Sequence, residues 1–177
     1  MKALVAGNLC VRPFIAADAP AFAAAARESA ASLHDWMPWC HADYSVDEAQ
    51  AWIALCEQNW RAGVAWDVGI FRAADNTLLG GIGLNQINRL HNYGNIGYWV
   101  RASEQRKGIA SEAVRMMAGF GFAEVGLTRL EIFAAENNHA SRGVALKAGA
   151  QFECLARNRL VLRGKPYLAA MYSFVPT

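Results

Sequence analysis

The 177-residue chain has no CxxC pair, no His/Cys cluster and no long apolar run. Its four cysteines (Cys10, Cys40, Cys56, Cys154) lie far apart, and its four histidines do not join them at metal-ligand spacing. That argues against a zinc site and against a disulfide framework, and the expectation is a protein with reduced thiols and no metal. Nowhere do about 18 strongly apolar residues follow one another. The opening segment from Met1 to Asn8 is too short for the core of a signal peptide. A soluble, cytoplasmic protein with no membrane partner is expected. An excess of one charge is missing too: 17 Lys+Arg against 15 Asp+Glu leave a formal net charge of +2. This excludes a nucleic-acid coat and leaves any basic character local.

What the chain does have is apolar mass. Hydrophobic residues make up 54% and charged residues 18%, enough to build a sizeable core and too apolar for disorder. With no internal repeat and no Pro/Ser-rich linker, residues 1 to 177 are expected to form a single domain.

Periodicity places the elements. Leu9 to Ile15 reads as a first strand, and Asp18 as the cap of a helix from Ala19 to about Ala31, with Pro20 tolerated in its first turn. Ser45 with Glu48 three residues on is a capping box for a second helix reaching Ala62. Strands at Trp66–Arg72, Leu78–Ile87 and Asn95–Arg101 then read as an antiparallel run, broken by a turn at Asp75-Asn76. A long helix from Gly108, a strand at Arg129–Ala134, a helix from about Asn138 to Ala148 and two last strands around residues 163 to 166 complete the order. That order is a mixed α/β arrangement, a largely antiparallel sheet with helices on both faces.

Two segments can carry chemistry. In Gln105-Arg106-Lys107-Gly108-Ile109-Ala110-Ser111 a strand has just ended, a polar loop carries two cations and a glycine, and a helix begins. Free backbone N–H groups and the positive helix end suit phosphate there, although an ordinary strand-to-helix turn has the same outline. The loop lacks the Walker spacing, and Gly81-Ile82-Gly83 opens no helix, so neither nucleotide fingerprint is met. That glycine pair marks a bulge or close strand packing instead. The second segment, Asn138 to Arg142, again follows a strand and starts a helix; Asn138 caps it and Ser141 faces back toward the strand ends. Two such helix starts after neighbouring strands converge at one end of a sheet, where open α/β sheets bind ligands.

Together these residues resemble a family. Gln105-Arg106-Lys107-Gly108-Ile109-Ala110 is similar to the Gln/Arg-x-x-Gly-x-Gly/Ala loop of the GNAT superfamily of acyl-CoA-dependent N-acyltransferases. Ile96-Gly97-Tyr98-Trp99-Val100, Ser111-Glu112-Ala113, Asn138-x-x-Ser141, Lys147-Ala148-Gly149-Ala150 and the early Leu33-to-Trp39 loop resemble the branch that includes ribosomal-protein N-terminal acetyltransferases. The resemblance covers essentially the whole chain. It implies a mixed sheet of about seven strands with one splayed pair, acetyl-CoA as donor, and direct transfer to an amine, with the chain a monomer or homodimer. It further implies that Gln105, Arg106, Lys107, Gly108, Ile109, Ala110 and Ser111 hold the pyrophosphate through backbone N–H groups. The backbone at Val100 would pair with pantetheine and stabilise the oxyanion, while Asn138 and Ser141 face the pantetheine arm and sulfur. Arg142, by charge and location, would reach phosphate.

Departures from the family pattern concern the acid, the base and the acceptor. Many relatives place a Tyr where this chain has Ala145, which leaves Ser141 as the candidate donor to the leaving thiolate. Pro166-Tyr167-Leu168-Ala169 lacks the Asp that often follows the last turn. For the base, Asp35, Asp67 and Glu104 are available, although for any one of them a solvated charge or a cap is the favoured reading. Trp36, Trp39, Tyr44 and Tyr98 are expected on the acceptor side, the first three as a mobile lid, with Trp52, Trp60 and Trp66 in packing. The expected acceptor is a protein N-terminal amine. The alternatives are a small amine such as a polyamine, an amino acid derivative or an antibiotic, or a module that binds acyl-CoA without turnover.

Overall fold

In the computed structural model, which describes residues 1 to 176, the chain opens on a hairpin of β1 (Leu4–Ala6) and β2 (Leu9–Arg12) turned at Gly7. The expected first strand thus gains a short partner and stops at Arg12, because Pro13 has no N–H for a ladder. Helix α1 (Ala19–Leu33) follows a single 3-10 turn. Asp18 makes no side-chain cap to α1. Its carboxylate accepts from the Arg12 guanidinium and the Ile15 N–H, both at 2.8 Å, and so braces the entry to the helix.

Helix α2 (Val46–Ala62) starts on the expected capping box: Ser45 Oγ accepts from Glu48 N–H at 3.1 Å and Glu48 accepts from Ser45 N–H at 2.8 Å. Strands β3 (Trp66–Arg72), β4 (Leu78–Asn88) and β5 (Tyr93–Val100) form the antiparallel run. Then come α3 (Ile109–Ala123), β6 (Arg129–Ala135), α4 (His139–Ala148), β7 (Gln151–Leu162) and β8 (Lys165–Phe174).

The eight strands make one sheet, one strand more than expected, in the order β1-β2-β3-β4-β5-β6-β8-β7. Leu160, Val161 and Leu162 lie on its outer edge strand. All neighbours pair antiparallel except β5 and β6, which pair in parallel. That pairing covers Tyr93↔Arg129 to Asn95↔Glu131 only, so beyond Asn95 the two strands part and leave a V. This is the splayed pair.

Each face of the sheet carries its own core. Leu84, Ile96, Leu130, Ile132 and Tyr172 pack with Val114 and Met117 of α3 and Ala145 of α4. On the other face Phe71, Leu78 and Trp99 pack with Phe22 of α1 and Ile53 of α2. A full Leu, Ile or Phe burial contributes about 1.5–3 kcal/mol, so these two layers hold the helices against the sheet. Gly121 lets α3 approach closely: a Cβ there would meet Leu130 Cδ1 at 3.0 Å. Gly119, on the same helix, has open space. Among the described residues no helix is long and apolar enough to cross a membrane.

Candidate functional site

Both helices that follow the splayed strands start at the mouth of the V. The Arg101 N–H is spent on the Leu79 carbonyl at 2.9 Å. Backbone groups on successive strand residues face opposite edges, so those of Val100 face the open side. Its carbonyl accepts from Gln105 Nε2 at 3.1 Å, and the same amide reaches Ser32 Oγ at 3.3 Å. Gln105 therefore pins the loop to the end of β5 and to α1.

Beyond Gln105 the chain turns twice through left-handed backbone, at Arg106 (φ 61°) and Gly108 (φ 81°). Such alternation aims successive N–H groups into one concavity, an anion-binding shape. The first amide bond of α3 is Glu112 N–H to Gly108 carbonyl at 3.1 Å, and the N–H groups of residues 106 to 111 have no backbone partner among the described residues. Ser111 is buried and its hydroxyl donates to the Gly108 carbonyl at 2.9 Å, so what it offers the cleft is its N–H.

The opposite wall is the first turn of α4. Asn138 Oδ1 accepts from Ser141 N–H at 3.0 Å, the expected cap. Tyr98 crosses the V from β5: its hydroxyl donates to the Ser141 carbonyl at 2.9 Å and stands 3.0 Å from Ser141 Oγ. Burial pushes the Tyr98 phenol up to about 12. Along α4 the residues lining the cleft are Ala140, Ser141, Gly143, Val144 and Lys147; Ser141 sits in the first turn, and the other four form the i, i+3, i+4, i+7 stripe of one helix face. The cleft encloses about 370 Å³.

That stripe corrects one expectation and supplies a residue sequence reading missed. Arg142 lies off the stripe; its guanidinium donates to the Tyr172 hydroxyl at 3.1 Å and the Glu136 carbonyl at 2.8 Å, away from the cleft. Lys147 takes the place expected of Arg142, its Nζ 3.7 Å from where a Cβ of Gly108 would stand. Counting helical turns from Ala140 points to Lys147. Of the loop cations, Arg106 lines the cleft with Val100, Gly108, Ile109 and Ala110, while Lys107 is tied to Glu104 at 3.0 Å.

A second cavity of about 290 Å³ lies on the α1/α2 face of the sheet. It meets the first at Met37, Tyr98 and Trp99, which line both. Trp36 belongs to the first and Trp39 to the second. The Trp39 ring packs edge-on against Trp99 at 5.6 Å and Tyr44 at 5.7 Å, so Trp39 and Tyr44, two of the three expected lid residues, belong to a packed aromatic wall. Trp52, assigned to packing, also lines this cavity. Its floor is glycine: Gly81, Gly83 and Gly97.

The three carboxylates separate by environment. Asp35 is exposed beside Arg163. Glu104 accepts from Lys107 at 3.0 Å and from Arg72 at 2.9 Å, which lower its pKa. Asp67 lines the second cavity, and burial raises its pKa against a weaker opposing hydrogen bond from Asn85 at 3.3 Å. Ala145 is fully buried, so no side chain at that position enters the cleft without displacing core.

Comparison with known proteins agrees with this geometry. Residues 8 to 151 match the profile of the acetyltransferase (GNAT) domain. An N-acetyltransferase of uncharacterised role, YoaA of Bacillus subtilis, is 31% identical over 133 residues, 75% of this chain and 73% of its own. A Vibrio cholerae structure provisionally described as a ribosomal-protein-serine acetyltransferase superposes with a TM-score of 0.87 at 31% identity, covering 99% of this chain and 98% of that one. The microcin C7 self-immunity acetyltransferase MccE, solved with acetyl-CoA and AMP, shares the fold with a TM-score of 0.88 at 20% identity, over 97% and 94% of the two chains. With the splayed pair, the left-handed loop and the profile match in register, the chain belongs to the GNAT acetyltransferase family.

Proposed function

We propose that the protein moves an acetyl group from acetyl-CoA to a protein N-terminal α-amine by direct attack, with both reactants bound at once. The observation that carries this reading is the meeting of two cavities at Tyr98, Trp99 and Met37, one walled by an anion-binding loop and the other by aromatic rings. A donor and an acceptor held on either side of one strand end are placed for reaction without a covalent enzyme intermediate.

The residues present fit acetyl-CoA. The N–H groups of residues 106 to 111 receive the pyrophosphate, with the cations Arg106 and Lys147 on the walls and Lys107 adding charge from outside. The donor supplies an activated thioester. The Val100 backbone, turned to the open side of β5, lies along the pantetheine arm and stabilises the charge that develops on the carbonyl oxygen. Asn138 holds the first turn of α4, and Ser141 Oγ protonates the departing sulfur; Tyr98, 3.0 Å away, holds that hydroxyl in place.

A second reading, a small-molecule amine as acceptor, is favoured by the modest size of the second cavity, about 290 Å³, which suits one residue or one small amine. The deciding experiment has two steps. Acetyl-CoA is titrated calorimetrically into wild type and a Gly108→Pro variant whose fold is checked by thermal melting. Proline cannot adopt φ 81° and removes a donor, so binding in wild type and its loss in the folded variant are expected. Acceptor screening with N-terminal peptides and polyamines then separates the two readings. Wild type without affinity for any acyl-CoA sinks both.

A further inference from the structure

Asp67 sits where a carboxylate is costly and where nothing in the fold requires one. In the strand ladders it stands opposite Gly83, and Gly83 opposite Gly97, a row crossing β3, β4 and β5 beneath the second cavity. A Cβ built on Gly83 would lie 1.9 Å from Asp67 Oδ1, so the carboxylate leans over β4 toward β5 through space that only glycine leaves free. One row along, Asn95 Nδ2 donates to Asn85 Oδ1 at 3.1 Å and Asn85 Nδ2 donates to Asp67 Oδ1 at 3.3 Å. This fixes the Asn85 amide with its NH₂ toward the carboxylate. It also leaves Asn95 Oδ1 buried without a partner, so the polar row costs stability.

No cation answers Asp67 among the described residues. The groups around it are apolar or neutral. Phe14, Trp39 and Trp52 line the cavity. The Cys56 thiol on α2 is pushed up to about 12 by burial and by the Asp67 charge, and burial pushes the Tyr44 phenol on the wall to about 12 as well. The cavity lining therefore holds one negative charge among aromatic faces, with Glu48 acting on Tyr44 from the exposed start of α2, a setting that attracts a single ammonium and gives a polycation no second carboxylate within the lining.

We propose that Asp67 binds the acceptor's ammonium and takes one of its protons, and that the cavity selects a singly charged primary amine carried on a compact apolar or aromatic group. The inference rests on the acetyl-transfer reading above. The ammonium gives one proton to the Asp67 carboxylate, and the freed lone pair forms the N–C bond as the C–S bond breaks. The thiolate takes the Ser141 hydroxyl proton, which the second nitrogen proton replaces, and Asp67 releases its own proton to solvent. One amide, one thiol and one proton result. The raised pKa of Asp67 eases the first transfer.

The test uses Asp67→Asn, which keeps the shape and loses the proton site, and Gly83→Ala, which keeps Asp67 and fills the space its carboxylate occupies. Both are checked by thermal melting and by acetyl-CoA calorimetry, and rates of thiol release are read across pH with 2-phenylethylamine, a hexapeptide beginning with Phe, and spermidine. Expected are unchanged acetyl-CoA affinity in both variants, kcat/KM at pH 7 down about 100-fold, and a deficit that shrinks as pH rises and neutral amine becomes abundant. Wild type should favour an apolar amine over spermidine about tenfold or more; whether the peptide or the free amine is better tells the source of the amine, and either supports the proposal. Variants within threefold of an active wild type with an unchanged pH profile, or spermidine as best acceptor, overturn the proposal and leave the acetyl-transfer reading standing. Wild type that binds no acetyl-CoA, or acetylates none of the three amines, overturns both.

Discussion

The Tyr98 hydroxyl stands 3.0 Å from Ser141 Oγ and donates to the Ser141 carbonyl at 2.9 Å, joining the last free stretch of β5 to the first turn of α4. With its phenol proton held on a carbonyl and its pKa up at about 12, Tyr98 orients Ser141 and does not ionise near neutrality. Ser141→Ala is expected to lower kcat by about 100-fold, and Tyr98→Phe by about tenfold, with acetyl-CoA affinity kept within threefold in each. Steady-state rates with calorimetry separate the two effects. A Ser141→Ala enzyme with full kcat would remove the serine from the proton path.

Lys147 and Arg142, five residues apart on one helix, are expected to behave oppositely. Lys147→Ala should weaken acetyl-CoA binding by about fivefold to tenfold and flatten its salt dependence, because a cation leaves the cleft wall. Arg142→Ala should leave that affinity unchanged and cost about 1 kcal/mol of stability, since the Tyr172 hydroxyl and the Glu136 carbonyl lose their donor. Titration at two salt concentrations and urea melts read both.

Acid stability should track the depressed carboxylates, of which Glu28 and Glu153 are partly buried. Arg101 hydrogen bonds hold Glu28 down to about 2, and Arg129 followed by Ser173 hold Glu153 at about 2, both from an ordinary 4.5. A depressed carboxylate contributes stability that is fully present above its unfolded pKa and lost as pH falls through the folded one. The melting temperature is therefore expected to be insensitive to these groups above about pH 5.5 and to drop between about pH 4.5 and 2. Glu28→Gln should remove part of that drop and about 1 kcal/mol at neutral pH, a modest figure because both partners are partly exposed.

Two glycines of α3 offer a packing test. Gly119 has nothing within 4 Å of the place a methyl group would take, so Gly119→Ala is expected to raise stability by about 0.5–1 kcal/mol through helix propensity and unfolded-state entropy. Gly121→Ala places its methyl 3.0 Å from Leu130 and 3.4 Å from Leu84, so crowding offsets the same gain and no rise is expected. Thermal melts of the two variants side by side decide it.

Much of this architecture is legible in the chain because local signals and global packing agree. Ser45 and Glu48 announce α2, the alternation from Trp66 to Val100 announces three paired strands, and Asn138 announces α4. The loop at Gln105 is readable because a left-handed glycine beside a helix start is a local event. Other features depend on what lies across from them. Three residues at Leu4–Ala6 are too few to show a period, and become a strand by pairing with Leu9–Val11. Asp67 reads in sequence like any charge in a strand; only the bare Gly83 opposite gives its carboxylate somewhere to go. The facing direction of Arg142 needed the helix phase, and charge alone led the other way.

The short parallel pairing of β5 with β6, three registered pairs from Tyr93 to Asn95, makes the sheet mechanically two plates on one hinge. Five strands lie on one side and three on the other, and beyond the hinge Tyr98 ties the end of β5 to the first turn of α4. A molecule lodged in the wedge becomes a strut as well as a reactant. Saturating donor at about a hundredfold over its Kd should stiffen the whole sheet by about 2.7 kcal/mol against unfolding. Amide exchange along residues 96 to 100 should slow with it, so that filling the wedge is felt on the far plate as a loss of play.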